Sequence, residues 1–361
     1  MSDTINKEPS KRLVHLDLLR LLAIFFVIFN HTSDRGYTLF VEKSDSILCF
    51  FYMMFSILCK IAVPIFFMIS GALLLSKQET YKQLFFKRVL RMIVVLILIS
   101  VPYYFWLHRF SGLGIKNFFT LIYSDCASTS LWYLYSYVGL LLMLPFLRNM
   151  VRGMKQSDFL YLITGHLILF GLLPCLEYCL WGGNITLNNA FSSVIFVTQN
   201  IFYALIGYYL EHTLDKRYYN KKTVVWSIVF SIVAIVVTCF MTWLQMVKGV
   251  SNIEQIEMFF ECFICIPAMT LYFLVKLGSS KIGCPKLKKI LSVLGSSVFG
   301  VYLIEKILRA VTNIVYDLML PICGSFAAAL IWCLVTGVLS VVIIISLKRI
   351  PYVKTIINKF I

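Results

Sequence analysis

Read for runs of apolar positions, the chain falls into ten segments, at 13–33, 46–76, 88–108, 131–148, 159–181, 190–211, 223–247, 257–276, 290–313 and 325–347. A hydrocarbon layer of roughly 30 Å takes about 20 apolar residues wound as helix to cross. Lipid cannot hydrogen-bond a bare backbone, so these runs are predicted to be helices. The expected fold class is all-α, a polytopic membrane protein with one membrane domain over residues 1–361, a short leading segment 1–12 and a tail 348–361. Segment 46–76 is too long for one straight crossing, and Pro64 predicts a kink after Ala62 or Val63. The first segment does not read as a signal peptide, because it holds Asp17 and Arg20 and has no small-residue cleavage site.

Composition agrees: 60% of residues are hydrophobic and 14% charged, with a mean hydropathy of +0.85, outside the range of ordinary soluble domains. Net charge of +16 raises the question of nucleic acid, but its distribution points to topology. Twenty-four Lys and Arg lie in the N-terminus, the loops 77–91, 148–155, 216–222 and 276–289, and the tail, whereas the opposite loops hold five: Arg35, Lys43, Arg109, Lys116 and Lys248. Positive residues stay inside, so both termini are expected to be cytoplasmic, as an even number of crossings requires, and no nucleic-acid partner is expected. The partner is the lipid bilayer itself. Cys262 and Cys265 form a CxxC on an apolar helix with no second pair, which favours packing over a metal site. Asn184-Ile185-Thr186 is a glycosylation sequon in an outward loop, meaningful only in a eukaryotic host.

An ionisable side chain inside a membrane helix costs about 2.5–3.5 kcal/mol on insertion scales, so each one asks for a reason. In the first segment, HLDLLRLLAIFFVIFNH, Asp17 and Arg20 are i and i+3 and can neutralise each other. Arg20 and His31 are eleven residues apart, about 16 Å along a helix with only about 20° of rotation between them, so they share a stripe. Asp34, three residues past His31, could accept an imidazole N–H and fix its tautomer. The plain alternative is an interfacial histidine reaching for water. Lys60 and the group Glu305, Lys306 and Arg309 are further charges inside segments, and Glu305 and Arg309 at i and i+4 could form a purely structural pair.

These residues carry a resemblance. DLLRLLAIFFVIFNH resembles the first helix of the acyltransferase-3 family of integral membrane acyltransferases, in which ten residues separate an Arg from a His, as they separate Arg20 from His31. VPIFFMISGALLL (63–75), KRVLRM (87–92), LWYLYSYVGLLLMLPFLR (131–148), IFYALIGYYL (201–210) and SSVFGVYLIEKIL (296–308) resemble later family segments in the same order. One departure is visible: where relatives are expected to place a His after the aromatic-Leu-Ile triplet, this chain has Glu305.

The resemblance implies transfer of an acyl group, usually acetyl from acetyl-CoA, onto a sugar hydroxyl. His31 is then the expected general base, with Arg20, Asp17 and Glu305 as the other candidate catalytic residues. Arg88 and Arg91, i and i+3 at the inner start of the third segment, are the candidate coenzyme A residues, since guanidinium forks suit phosphate oxygens; topology anchoring is the alternative. Trp132 and Tyr135 are candidate acceptor contacts, against the alternative of an interfacial aromatic belt. Acetyl-CoA is expected as donor substrate, with no metal, and a cell-surface glycan or lipid-linked sugar as acceptor. The expected location is the cell membrane, multi-pass, with the bacterial cytoplasmic membrane first. A transporter or flippase of a glycan or lipid intermediate, and a non-catalytic membrane sensor, are the rivals. Lacking an extra extracellular domain, the chain is expected to deliver the acyl group itself or hand it to a separate protein.

Overall fold

The computed structural model describes residues 13–42, 44, 46–108, 113–183, 185, 199–250 and 252–350. Lys43, Arg109, the sequon residues Asn184 and Thr186, the start of segment 190–211 and the basic residues of the N-terminus and distal tail lie outside them. Among the described residues the chain is all-helical, with no strand, as expected of a polytopic membrane protein.

The helices used below are α1 (Val14–Asn30), α2 (Leu48–Lys60), α3 (Ala62–Leu74), α4 (Leu90–His108), α5 (Ile115–Ser124), α6 (Trp132–Gly153), α7 (Gln156–Trp181), α8 (Gln199–Tyr208), α9 (Lys221–Val247), α10 (Cys265–Ser279), α11 (Pro285–Gly295), α12 (Val298–Val311) and α13 (Asn313–Leu347). Each of the ten sequence segments holds helix, but they are not ten straight rods. Among the described residues five helical stretches are long and apolar enough to cross a membrane alone, and seven if each of two bent pairs is taken as one span.

Both bends replace helices that the hydrophobic pattern predicts as straight, and local chemistry explains them. Ile253–Glu261 meets α10 at 55°, with the break immediately before Pro267, whose ring excludes the carbonyl four residues back. Helices α11 and α12 meet at 54°, and there the Ser296 and Ser297 hydroxyls both bond the Val293 carbonyl, competing with the backbone ladder. In segment 46–76 the interruption falls at Ile61, just before the expected place, and Pro64 occupies the first turn of α3, where a missing N–H does little harm. The two pieces form one bent span, Leu48–Leu74.

The first helix is the centre of the bundle. It is 17 residues long, about 25 Å, and packs against α2, α3, α10, α11, α12 and α13, which bury Leu16, Leu19, Ala23, Ile28 and Phe29. Enclosure by protein on these sides is what lets α1 carry ionisable groups. At its start His15 Nε2 lies 3.0 Å from Glu211 Oε2, an oxygen that also accepts from Tyr272 at 2.9 Å and pairs with Lys276 at 3.3 Å. Beside it α3 and α8 cross in backbone contact: a Cβ on Gly71 would stand 1.7 Å from the Ala204 carbonyl oxygen. Small residues make such close crossings possible, and this one holds the α3 wall of the central cavity in place.

Candidate active site

A cavity of about 1700 Å³ runs beside α1, touching Leu13, Arg20, Val27, Asn30 and His31 in turn. Eighteen helical rises separate Leu13 from His31, about 27 Å, so the cavity follows most of the helix.

The end of the cavity nearer the start of α1 is cationic, lined by Arg20, Lys77, Lys87, Arg88 and Arg91. Arg20 Nη1 donates to Asp17 Oδ1 at 2.7 Å; Asp17 is 1% exposed. Gly295 of α11 lies so close that a Cβ there would stand 2.5 Å from Asp17 Oδ1. The pair is thus sealed from behind while the guanidinium reaches the cavity. Arg88 and Arg91 are brought to this end by a π-turn at Phe85–Val89 after the short helix Tyr81–Leu84, which Thr80 and Gln83 cap reciprocally. Arg88 clasps Glu79 with two nitrogens, Nε to Oε2 at 2.8 Å and Nη2 to Oε1 at 2.6 Å. Glu79 also accepts from the buried Arg148 at 2.8 Å. The Arg88 hydrogen bonds, helped by Arg148 and opposed by burial, hold the Glu79 carboxyl at about 2. Arg91 makes no ion pair among the described residues.

Farther along α1, His31 Nδ1 stands 2.7 Å from Glu305 Oε1. Glu305 is completely buried on α12, and Arg309 Nε lies 3.7 Å from its other oxygen. Helix α12 is itself anchored: Lys306 donates to Ser128 and Thr129 at 2.9 and 3.1 Å, Tyr302 donates to the Ser130 carbonyl, and Tyr103 to that of Leu303 at 3.1 Å. A carboxylate only accepts, so it selects the imidazole tautomer protonated at Nδ1. Nε2 then offers its lone pair, and among the described residues no protein group takes it. Asp34, the neighbour expected to orient the ring, instead sits exposed in the 3-10 turn Ser33–Arg35. Helix α1 ends at Asn30, and Ser33 takes a left-handed φ of 52°, which breaks the i+3 relation on which that expectation rested.

Trp132 lines the cavity, and so do Tyr133 and Tyr137, whose rings stack at 5.9 Å. Tyr135 does not: its hydroxyl donates to the Ile122 and Asp125 carbonyls at 3.0 and 3.2 Å, tying α5 to α6. Helical phase accounts for the difference, since positions 133 and 137 share a face and 135 lies about 160° from both. Toward its His31 end the cavity adds Lys60, Glu254, Glu257 and Glu261, with Lys60 Nζ 2.7 Å from Glu257. None of these three carboxylates was a candidate from the sequence; their spacing of i, i+3 and i+7, which on a regular helix falls on one face, was the available signal. Cys262 and Cys265 are buried and unpaired, and among the described residues no cluster of His, Cys, Asp and Glu has the makings of a metal site.

The family model for the acyltransferase-3 family, described as an acyltransferase domain, matches residues 13–348. The chain therefore belongs to that family and is a membrane acyltransferase. No curated protein and no solved structure matches it.

Proposed function

We propose that this member of the acyltransferase-3 family moves an acetyl, or another short acyl group, from cytoplasmic acyl-CoA to a hydroxyl of a cell-surface glycan or its lipid-linked precursor, with His31 as general base. The observation that carries the reading is His31 held by Glu305 at 2.7 Å, in a cavity that also reaches Arg20, Arg88 and Arg91. A hydroxyl is a poor nucleophile at neutral pH. A base of near-neutral pKa that takes its proton as it attacks contributes typically 10²–10⁴-fold. Glu305 would orient the imidazole and balance its charge once Nε2 is protonated, the role of the carboxylate in other carboxylate–histidine pairs. It is thus a positioning residue for His31.

The donor's phosphates suit the inner cations. Arg91 is open to them, while Arg88 would have to exchange Glu79 for phosphate, a like-for-like swap of anions on one guanidinium fork. Arg20 lies about 16 Å from His31 along α1, where it would meet the donor between its phosphates and its thioester, with Asp17 fixing its position. Trp132, Tyr133 and Tyr137 offer aromatic faces to a sugar ring. In this reading the protein is a multi-pass protein of the cell membrane, bacterial cytoplasmic membrane included, with both termini cytoplasmic.

The test is a reconstituted assay with labelled acetyl-CoA and extracted cell-envelope glycan. Wild-type protein is expected to release coenzyme A and label the glycan through an alkali-labile ester. Transfer by His31→Ala at the wild-type rate would overturn the assignment of the base.

A further inference from the structure

The His31 end of the cavity has a charge that acyl transfer by itself does not explain. Glu254, Glu257 and Glu261 all lie on Ile253–Glu261 and line the cavity together. Their level is that of the catalytic histidine: Glu257 pairs with Lys60 at 2.7 Å, and the neighbouring Cys59 carbonyl accepts from Asn30, the residue before His31. Lys60 neutralises Glu257 alone. Glu261 accepts only from the neutral Gln199, at 2.6 Å, and Glu254 has no ion pair among the described residues.

Carboxylates at a wet cavity mouth are common, so acidity alone identifies nothing. Two independent observations do point to a ligand. Tyr203 is 1% exposed and lines the same cavity, yet among the described residues its hydroxyl has no hydrogen-bond partner. Asn30 Oδ1 is likewise buried without a partner among them. Buried polar atoms in folded proteins are nearly always satisfied, and here a polyhydroxy ligand in the cavity would satisfy them.

Building on the proposed acyltransferase reading, we infer that the acceptor is an amino sugar, with a protonated amino group near the hydroxyl that is acylated. Glu254 and Glu261 hold the ammonium, and Tyr203 and Asn30 bond the ring's polar groups. The two ends of the cavity thereby sort the substrates, cationic for a phosphate-bearing donor and anionic for a cationic acceptor. The arrangement also selects oxygen over nitrogen. An ammonium has no lone pair and cannot attack. The hydroxyl oxygen attacks the thioester carbonyl carbon and gives its proton to His31 Nε2; the C–O bond forms, the C–S bond breaks, and the coenzyme A thiolate leaves with a proton from the imidazolium. Phosphate- or carboxylate-bearing sugars are repelled from the same site.

The test compares three trisaccharides on the full chain in nanodiscs, at a pH where the amine is charged: a glucosamine trimer, its N-acetylated counterpart and a uronic acid trimer. The glucosamine trimer is expected to bind about tenfold more tightly than the N-acetyl form, as loss of a charge-assisted hydrogen bond implies, and the uronic acid trimer not at all. Replacing both carboxylates (Glu254→Gln with Glu261→Gln) is expected to abolish the preference while leaving N-acetyl trimer binding unchanged. Equal binding of the amino and N-acetyl trimers, binding of the uronic acid trimer, no binding of the amino trimer, or a preference that survives the double substitution would each overturn the inference. Coenzyme A binding, measured on the same samples, separates the two readings. An intact donor site with no amino preference removes this inference alone, and an amino preference without donor binding removes the donor site.

Discussion

His31 and Glu305 are 274 residues apart in the chain, and the imidazole Nδ1 of one lies 2.7 Å from the carboxylate of the other. The contact gives a surface-like histidine a buried counter-charge and a fixed tautomer. Glu305→Gln keeps the size of the side chain and removes the charge. Its expected effect is a fall in kcat of about two to four orders of magnitude, with the KM for acyl-CoA little changed. A variant of normal kcat would make the pair structural.

Arg88 and Arg91 separate two kinds of effect. Replacing Arg91 removes a cation that has no ion pair among the described residues, so Arg91→Gln is expected to raise the KM for acyl-CoA by about tenfold or more and leave thermal stability unchanged. Arg88→Gln also releases Glu79 and is expected to weaken donor binding and lower the unfolding temperature together. Steady-state kinetics beside a thermal melt in detergent checks both, and unchanged KM in the two variants would return them to topology anchors.

Glu79 ties stability to pH. Its carboxyl is held at about 2, against an ordinary value of 4.5. A depressed carboxyl contributes stability that is fully present above the unfolded value and is lost as pH falls through the folded one. The clasp with Arg88 and Arg148 is therefore expected to weaken between pH 4.5 and about 2. Melting temperatures of wild type and Glu79→Gln, recorded across that window, should converge toward its acidic end. A gap that stays constant would show that the carboxylate's charge is not what holds the loop at Glu79.

Topology is open to direct labelling. In a background with the exposed Cys179, Cys284 and Cys323 changed to Ser, Ile185→Cys is expected to react with an impermeant thiol reagent applied outside, and Arg217→Cys only after the membrane is opened. Both positions are exposed. The reverse pattern would place the termini outside.

What the sequence disclosed depended on whether the relation was local. The shared stripe of Arg20 and His31 follows from helix geometry within one element, and so does the Asp17–Arg20 pair. The partner of His31 could not be found that way. Asp34 was near in sequence, but the turn at Ser33 carries it off, whereas Glu305 comes from a helix at the far end of the chain. Tyr133 and Tyr137 were recoverable from helical phase, although a plain list of aromatics picks out Tyr135 equally well. The two bends were hidden because hydrophobic patterning records which residues suit lipid, and not where a proline ring or a serine hydroxyl interrupts the backbone ladder. The grouping of Glu254, Glu257 and Glu261 was obscured by a second use of charge, since acidic residues outside and basic residues inside also serve topology.

The central position of α1 bears on how the protein is made. This helix leaves the ribosome well before the groups that complete it, for Glu211 follows His15 by 196 residues and Glu305 follows His31 by 274. At about 5–20 residues per second, roughly 14–55 s pass between the synthesis of His31 and that of its carboxylate partner. During that interval the Asp17–Arg20 pair is the one neutralisation α1 brings with it. The helix must wait beside the insertion machinery, or reside in lipid at a cost, until α12 closes over it. A chain that stops short of Glu305 leaves α1 without the carboxylate that faces His31, and so with a polar group that nothing in its own helix can neutralise.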